Sequence, residues 1–299
     1  QQLIVGMRGL QLRVPGIPIA ETELILHPNH SVYHLGVSPE QLATDIWIVG
    51  DPERVPLISR HLDRLDFSLH NREFVLHTGE LGGKRLTIVS SGIGVDNIDI
   101  LINELDAAVN VDLEKRQVKE KLTSLRFLRL GTSGAIQPEI SVGTVVASKF
   151  AFALDGVPLS YEMEFNQDEI DLMDALQRAG RLENGLYTAQ GSDDLLQRYA
   201  IHQRQGITFT ANGFYGPQGR SVRLKSKFED LHWAQSFKFN DLSITNIEME
   251  CAGLYAMSSL LGHEALTCCV ILANRATKEF SKNTSKMAES LIESALQVF

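Results

Sequence analysis

Arginine is the first residue type here that could do chemistry on a small polar molecule. Arg54, Arg72 and Arg129 each stand beside the end or edge of an apolar run, and a guanidinium fork matches the oxygens of a phosphate. Arg129 is the sharpest of the three. In "FLRLG" it interrupts an apolar strand pattern, where an unpaired charge would cost several kcal/mol, so it needs an anion nearby. Gln218 and Arg220 lie two residues apart in "GFYGPQGR" (213–220), a glycine- and proline-broken stretch that excludes a helix. An amide and a guanidinium in one turn offer donors and an acceptor to the edge of a flat polar ring. Glu248 and Glu250 flank Met249. Acidic residues suit a first helical turn, and a carboxylate can equally accept from neighbouring sugar hydroxyls; spacing does not choose between the two.

Several apolar runs end in a small residue followed by a polar one: Gly50–Asp51, Ser91–Gly92, Gly131–Thr132 and Asn274–Arg275. Ligands bind at the carboxyl ends of strands in open α/β sheets, and glycines there let backbone N–H groups approach an anion. Neither Gly92-Ile-Gly94 nor Gly131-Thr-Ser-Gly134 completes a dinucleotide or Walker signature.

The elements that must position these residues alternate. "DIWIVG" reads as a strand, and Asp51 with Pro52 would cap and open a helix in "DPERVPLISRHL". "REFVLHTGEL" and "RLTIVSS" flank Gly82–Gly83 as a hairpin. A helix follows Gly94 with Ile98, Leu101, Ile102 and Leu105 on one face. "LRFLRLGTSGAI" reads as a strand ending in a glycine-rich turn. A helix is expected from near Glu248 to Gly262, then the strand "LTCCVILANR" and a closing amphipathic helix through Met287, Leu291, Ala295 and Phe299. Strands alternating with helices at short loops indicate an α/β domain with a mixed or parallel sheet. Residues 1–32, broken by Pro15, Pro18 and Pro28, read as an arm ahead of a single domain at 33–299. His27, His30 and His34 approach metal-ligand spacing, but no Cys or carboxylate completes a set in that segment, which reads as loop.

A net charge of −9 argues against nucleic acid and anionic membranes as partners, and no apolar run reaches the roughly 20 residues of a membrane span. Cys251, Cys268 and Cys269 form no CxxC pair and sit in apolar surroundings, which points to reduced thiols and a cytoplasmic protein.

Taken together the motifs resemble the nucleoside phosphorylase family. They are "YHLG" (33–36), "GDPERV" (50–55), "NREF" (71–74), "SSGIG" (90–94), "FLRLGTSGAIQPEISVG" (127–143), "GFYGPQGR", "NIEMECAGL" (246–254) and "LANR" (272–275), in family order. The resemblance implies a central mixed β-sheet, distorted into a barrel and flanked by helices. It also implies phosphorolysis, in which phosphate attacks the anomeric carbon of a nucleoside. Phosphate would be held by Gly50, Arg54, Arg129 and Thr132, with Arg72 from a neighbouring subunit. Ribose would be held by Thr132, Met249 and Glu250, with His34 also from across the interface. Phe214, Ser133, Gly134 and Glu248 would surround the base, Gln218 and Arg220 would read a uracil edge, and Arg275 would support Arg220. Arg129, Gln218, Arg220 and Glu250 would carry catalysis.

The F-Y-x-x-Q-x-R pattern belongs to the uridine branch, and Asn274–Arg275 replaces the aspartate acid of the purine branch. A purine phosphorylase or a nucleoside hydrolase is the nearest rival: the first would lack Gln218 and Arg220, the second has no use for Arg54, Arg72 and Arg129. A silent nucleoside-binding paralogue is the other. No metal or cofactor is expected beyond phosphate as co-substrate. A monovalent-cation position at the interface, present in some members, would have Glu73 but Asn97 in place of a serine. A homodimer or a ring of dimers is implied, with uridine and phosphate as its small-molecule partners.

Overall fold

The computed structural model describes residues 3–5, 11–179, 185–200 and 202–299. In the arm, β1 (Leu3–Val5) pairs antiparallel with β2 (Gln11–Arg13), and further on Ile19, Leu24 and Leu26 pack against the core. The arm is therefore less irregular than its prolines imply. The remaining 1–32 positions among 1, 2 and 6–10 lie outside the described residues.

The main body begins with β3 (Asp45–Val49), α1 (Arg54–Ser59), β4 (Arg64–Asn71), β5 (Phe74–Leu81) and β6 (Lys84–Ser90). Next come α2 (Val95–Asn110), the short pair β7 (Val111–Asp112) and β8 (Gln117–Val118), β9 (Arg126–Ala135) and β10 (Val145–Ala153). α3 (Gln167–Arg178), β11 (Tyr187–Gln190), α4 (Asp193–Ala200) and β12 (Arg204–Thr210) follow. The chain closes with α5 (His232–Ser236), β13 (Lys238–Phe239), β14 (Leu242–Glu248), α6 (Cys251–Leu260), β15 (Glu264–Asn274), β16 (Glu279–Phe280) and α7 (Thr284–Leu296).

The sheet is mixed and closes on itself. β14, β12, β10, β15 and β9 pair in sequence, and an antiparallel contact of β9 with β14 completes the ring. From β9 the sheet runs on through β3, β6, β5 and β4 to an open edge. Side-chain alternation sorts residues to two helical layers. Ile46, Ile48 and Phe127 face α2 and α6, while Trp47, Val49, Leu128 and Leu130 face α1, α4 and α7. A third apolar cluster joins β10, β12 and β14 to α3 and α5. α6 is apolar and buried nearly all round, the signature of a central helix. All three cysteines are buried and unpaired. No helix among the described residues is long and apolar enough to cross a membrane.

Four local expectations are corrected. Asp51 does not start a helix: its Oδ1 accepts from Glu53 N at 3.0 Å, and α1 begins two residues past Pro52. β4 has no counterpart in the sequence reading. The glycines of "GTSGA" form no turn; β9 continues through them, held by β15 on one side and by β14 at Gly134↔Ile247. Finally, α6 starts at Cys251, because β14 stays paired with β12 out to Glu248↔Thr210.

Candidate active site

The ring closure builds the site. Antiparallel pairing of Gly134 with Ile247 brings the carboxyl ends of β9 and β14 to one point, and the ends of β3, β6 and β15 arrive beside it. There a cavity of about 580 Å³ opens. Its walls include twelve of the expected residues: Gly50 and Arg54 after β3; Arg129, Thr132, Ser133 and Gly134 on β9; Phe214, Gln218 and Arg220 in the turn; and Glu248, Met249 and Glu250 where β14 passes into α6.

Arg129 shares the sheet face of Phe127, so it is aimed at the N-terminus of α6 and is only 3% exposed. A cation there meets the positive end of a helix dipole, and two carboxylates resolve the conflict. Arg129 Nη1 lies 3.0 Å from Glu248 Oε2, and Nη2 is paired with Glu250 Oε2. The anion that the sequence demands is thus supplied first by the chain itself. Burial would lower the Arg129 guanidinium, but Glu250 and Glu248 outweigh it and hold it above its usual value. Burial likewise lifts the Glu250 carboxyl, with Arg129 opposing and Glu248 reinforcing. Arg129 Nε is buried without a partner, so the cation retains unused donor capacity. Gly131 makes room for it: a Cβ there would stand 2.7 Å from Arg129 Nη1 and 2.9 Å from Cys269 Sγ. Arg54 lines the same end; burial lowers its guanidinium, Asp51 opposes this and Arg129 adds to it.

The two glutamates differ. Glu248 Oε2 accepts from the backbone N–H of Glu250 at 2.8 Å and of Cys251 at 2.9 Å, and its Oε1 accepts from Thr210 Oγ1 at 2.6 Å. Its carboxylate therefore caps α6 from within, satisfying donors a helix start leaves open. This departs from the expected place in a first helical turn, while Glu248 still lines the cavity. Among the described residues Glu250 accepts from Gly94 N at 2.7 Å and otherwise only from Arg129. It is the glutamate with capacity left for a ligand.

At the far end Arg220 lies with its guanidinium carbon 3.9 Å from the Phe214 ring centroid. Its Nη1 donates to Phe214 O at 2.6 Å and to Gln218 Oε1 at 2.5 Å, which fixes which way the Gln218 amide points. Burial and the neighbouring Arg275 push the Arg220 guanidinium down to about 10. Arg275 stands behind the wall and donates to Gln218 O at 2.8 Å. Gly219 holds φ at +72°, and a Cβ there would sit 2.2 Å from Phe228 O. Asn274 donates to the carbonyls of Gln137 and Ile140 at 2.9 and 2.8 Å, so that position is a strut with no acid.

His34 and Arg72 are not in this cavity. Glu104 Oε1 meets His34 Nδ1 at 2.6 Å, and Asn71 Nδ2 donates to His34 O at 2.8 Å. Arg72, in the turn after β4, lies 5.8 Å from the Tyr33 ring centroid. Sequence reasoning missed the apolar wall formed by Ile93, Ile247, Leu272, Ala273 and Phe280. Only Phe280 leaves a trace in the sequence, as a lone aromatic in the polar run "TKEFSKN". Among the described residues, no three His, Cys, Asp or Glu side chains converge to hold a metal.

Residues 45–299 match the family model described as the phosphorylase superfamily. A uridine phosphorylase of Thermococcus kodakarensis is 32% identical over 89% of this chain and 86% of its own length. One of Haemophilus influenzae is 31% identical, covering 89% of this chain and 97% of its own. Among solved structures, a Trypanosoma brucei nucleoside phosphorylase reported to show uridine phosphorylase activity superposes with a TM-score of 0.81. It is 26% identical and covers 92% of this chain and 99% of that one. The chain belongs to the phosphorylase superfamily.

Proposed function

We propose that this chain is an enzyme that cleaves uridine with phosphate, releasing uracil and ribose 1-phosphate. The observation that carries the reading is one cavity with Arg54 and Arg129 at one end, Gln218 and Arg220 at the other, and Glu250 beside Arg129. Phosphate binds at Arg54 and Arg129, with Gly50 and Thr132 lining its approach. A phosphate at Arg129 takes over donors that Glu250 holds, and the freed carboxylate accepts from ribose hydroxyls next to Met249. As the glycosidic bond lengthens, positive charge builds on the ribose and negative charge on the base. Phosphate stabilises the first. Arg220 and Gln218 stabilise the second with donors held where the charge develops. Phe214 and the Ser133–Gly134 backbone flank the base, and Arg275 holds the Gln218 turn. The leaving uracil needs no strong general acid, in keeping with Asn274 at the end of β15.

His34 and Arg72 complete the ribose and phosphate contacts from a second copy of the chain. The three buried, unpaired thiols support a reducing, cytoplasmic setting. The decisive assay is uracil release from uridine with and without phosphate. Release that depends on phosphate and forms ribose 1-phosphate is expected. Equal release in water alone, or cleavage of inosine in preference to uridine, would overturn the proposal.

A further inference from the structure

Inside the ring of strands a row of polar side chains crosses from β10 to the cavity at the end of β9. Ser148, Thr208, Thr245 and Asn246 are wholly buried. Ser148 Oγ lies 2.5 Å from Thr208 Oγ1, and Thr208 Oγ1 donates to Asn246 Oδ1 at 2.9 Å. Thr245 Oγ1 donates to the same oxygen at 2.8 Å, and Asn246 Nδ2 donates to Ser133 Oγ at 2.9 Å. Strand register sets up the row. Asn246 pairs with Thr208 on one side and with Ala135 on the other, so its side chain shares the sheet face of Ala135, Ser133 and Arg129.

The row has a direction. A hydroxyl carries one proton, and both threonines direct theirs at Asn246 Oδ1; the other acceptor of Thr245, Ile207 O, is farther away at 3.3 Å. With its oxygen taken, the Asn246 amide presents N–H to β9, and Ser133 Oγ must accept. Among the described residues nothing accepts the Ser133 proton in turn, and Ser133 lines the cavity. It stands four residues beyond Arg129 on the same face, about 13 Å along an extended strand. Its neighbour Gly134 lies against Arg275, whose Cγ would be 3.8 Å from a Cβ there and whose guanidinium holds the Gln218 carbonyl. Ser133 therefore falls between the phosphate end and the Gln218 turn.

We propose that the Ser133 hydroxyl donates a hydrogen bond to the uracil carbonyl beside the breaking bond, and that Asn246 is the positioning residue that turns this proton towards the cavity. The proposal rests on the reading of the cavity as a site of uridine cleavage, and adds a third donor to Gln218 and Arg220. The proton stays on Ser133; the bond strengthens as negative charge gathers on the carbonyl. Because the buried row fixes the hydroxyl in advance, no reorientation is needed when the charge develops.

Comparing uridine with 5-fluorouridine separates a donor from a structural prop. Fluorine makes the departing base a more stable anion, which depends less on any donor. In single-turnover reactions at saturating phosphate, Ser133→Ala should slow uridine cleavage about 100-fold, the loss typical of one stabilising donor. It should slow 5-fluorouridine less, so the ratio of the two rates rises above the parent's. Ser133→Thr keeps the hydroxyl and should keep the parent's ratio. Asn246→Asp, once ionised, offers only acceptors and draws the Ser133 proton inward. It should show the raised ratio too, and adding Ser133→Ala to it should change little more. Equal slowing of both substrates by Ser133→Ala, or none, would overturn the donor; a folded Asn246→Asp with the parent's ratio would overturn the positioning role. Should Asn246→Asp not fold, the contrast between Ser133→Ala and Ser133→Thr decides. A parent that leaves uridine intact fails the reading of function and this proposal with it, whereas a parent that cleaves uridine no faster than Ser133→Ala fails this proposal alone.

Discussion

At the scale of the residue, the site turns on a buried triad with one more carboxylate than cations. Arg129 neutralises one of Glu248 and Glu250, and burial makes the excess charge costly. Arg129→Met should therefore leave two buried carboxylates uncompensated and lower stability by about 3–5 kcal/mol in denaturant unfolding. Glu250→Gln should cost nothing or stabilise, since Glu248 keeps its partner. The pH dependence has a definite sign. The folded chain holds Glu250's carboxyl above its ordinary value, so it binds more protons there than the unfolded chain does, and stability falls as pH rises through that window. Glu250→Gln should lack this decline; an identical decline in the variant would show that another group causes it. The sequence showed that Arg129 required an anion. It did not show that the first anion would be the chain's own, because that depends on which sheet face Arg129 occupies and which helix begins there.

At the scale of the element, the legible parts are those whose pattern is local. β3, the β5–β6 hairpin, α2, β15 and α7 carry their periodicity in adjacent residues. The continuation of β9 through Gly131–Gly134 was hidden, since glycine favours a turn unless neighbouring strands on both sides hold it extended. The start of α6 was misplaced for the same reason: pairing with β12 keeps Glu248 in a strand, which turns its carboxylate into a cap. β4 alternates Leu65, Phe67 and Leu69, but as an exposed edge strand it buries little, and its signal is weak. The turn after Phe214 was readable as a turn, whereas its dependence on Gly219 required coordinates. Gly219→Ala combines a positive φ with a Cβ driven into the Phe228 carbonyl, so the backbone must move and Gln218 and Arg220 lose their common plane. Uridine kcat/KM should drop by about 10²–10³, the loss typical of removing one stabilising donor. Phosphate binding measured by calorimetry should persist, because Arg54 and Arg129 belong to other elements. Loss of both together would mean that the turn supports the whole cavity.

At the scale of the molecule, a chain of net charge −9 must attract phosphate against its own far field. Salt limits that field to about 8 Å, so cations lining one cavity decide locally. More of them help, and Arg72, absent from its own cavity, is the cation a second copy would add. A site completed by a neighbour's Arg72 makes a quantitative demand on mixed assemblies. Arg220→Ala disables a chain's own cavity but leaves its Arg72 intact to complete a neighbour. Arg72→Ala leaves the cavity intact and starves the neighbour. Each variant alone should be nearly inactive. Co-expressed and randomly paired, half of the dimers are mixed, and each mixed dimer holds one site with Arg220 from one chain and Arg72 from the other. Activity should return to roughly a quarter of the parental sites. If instead the mixture is no more active than the two variants measured apart, although sedimentation shows mixed dimers, then Arg72 acts within its own chain and the shared site is wrong.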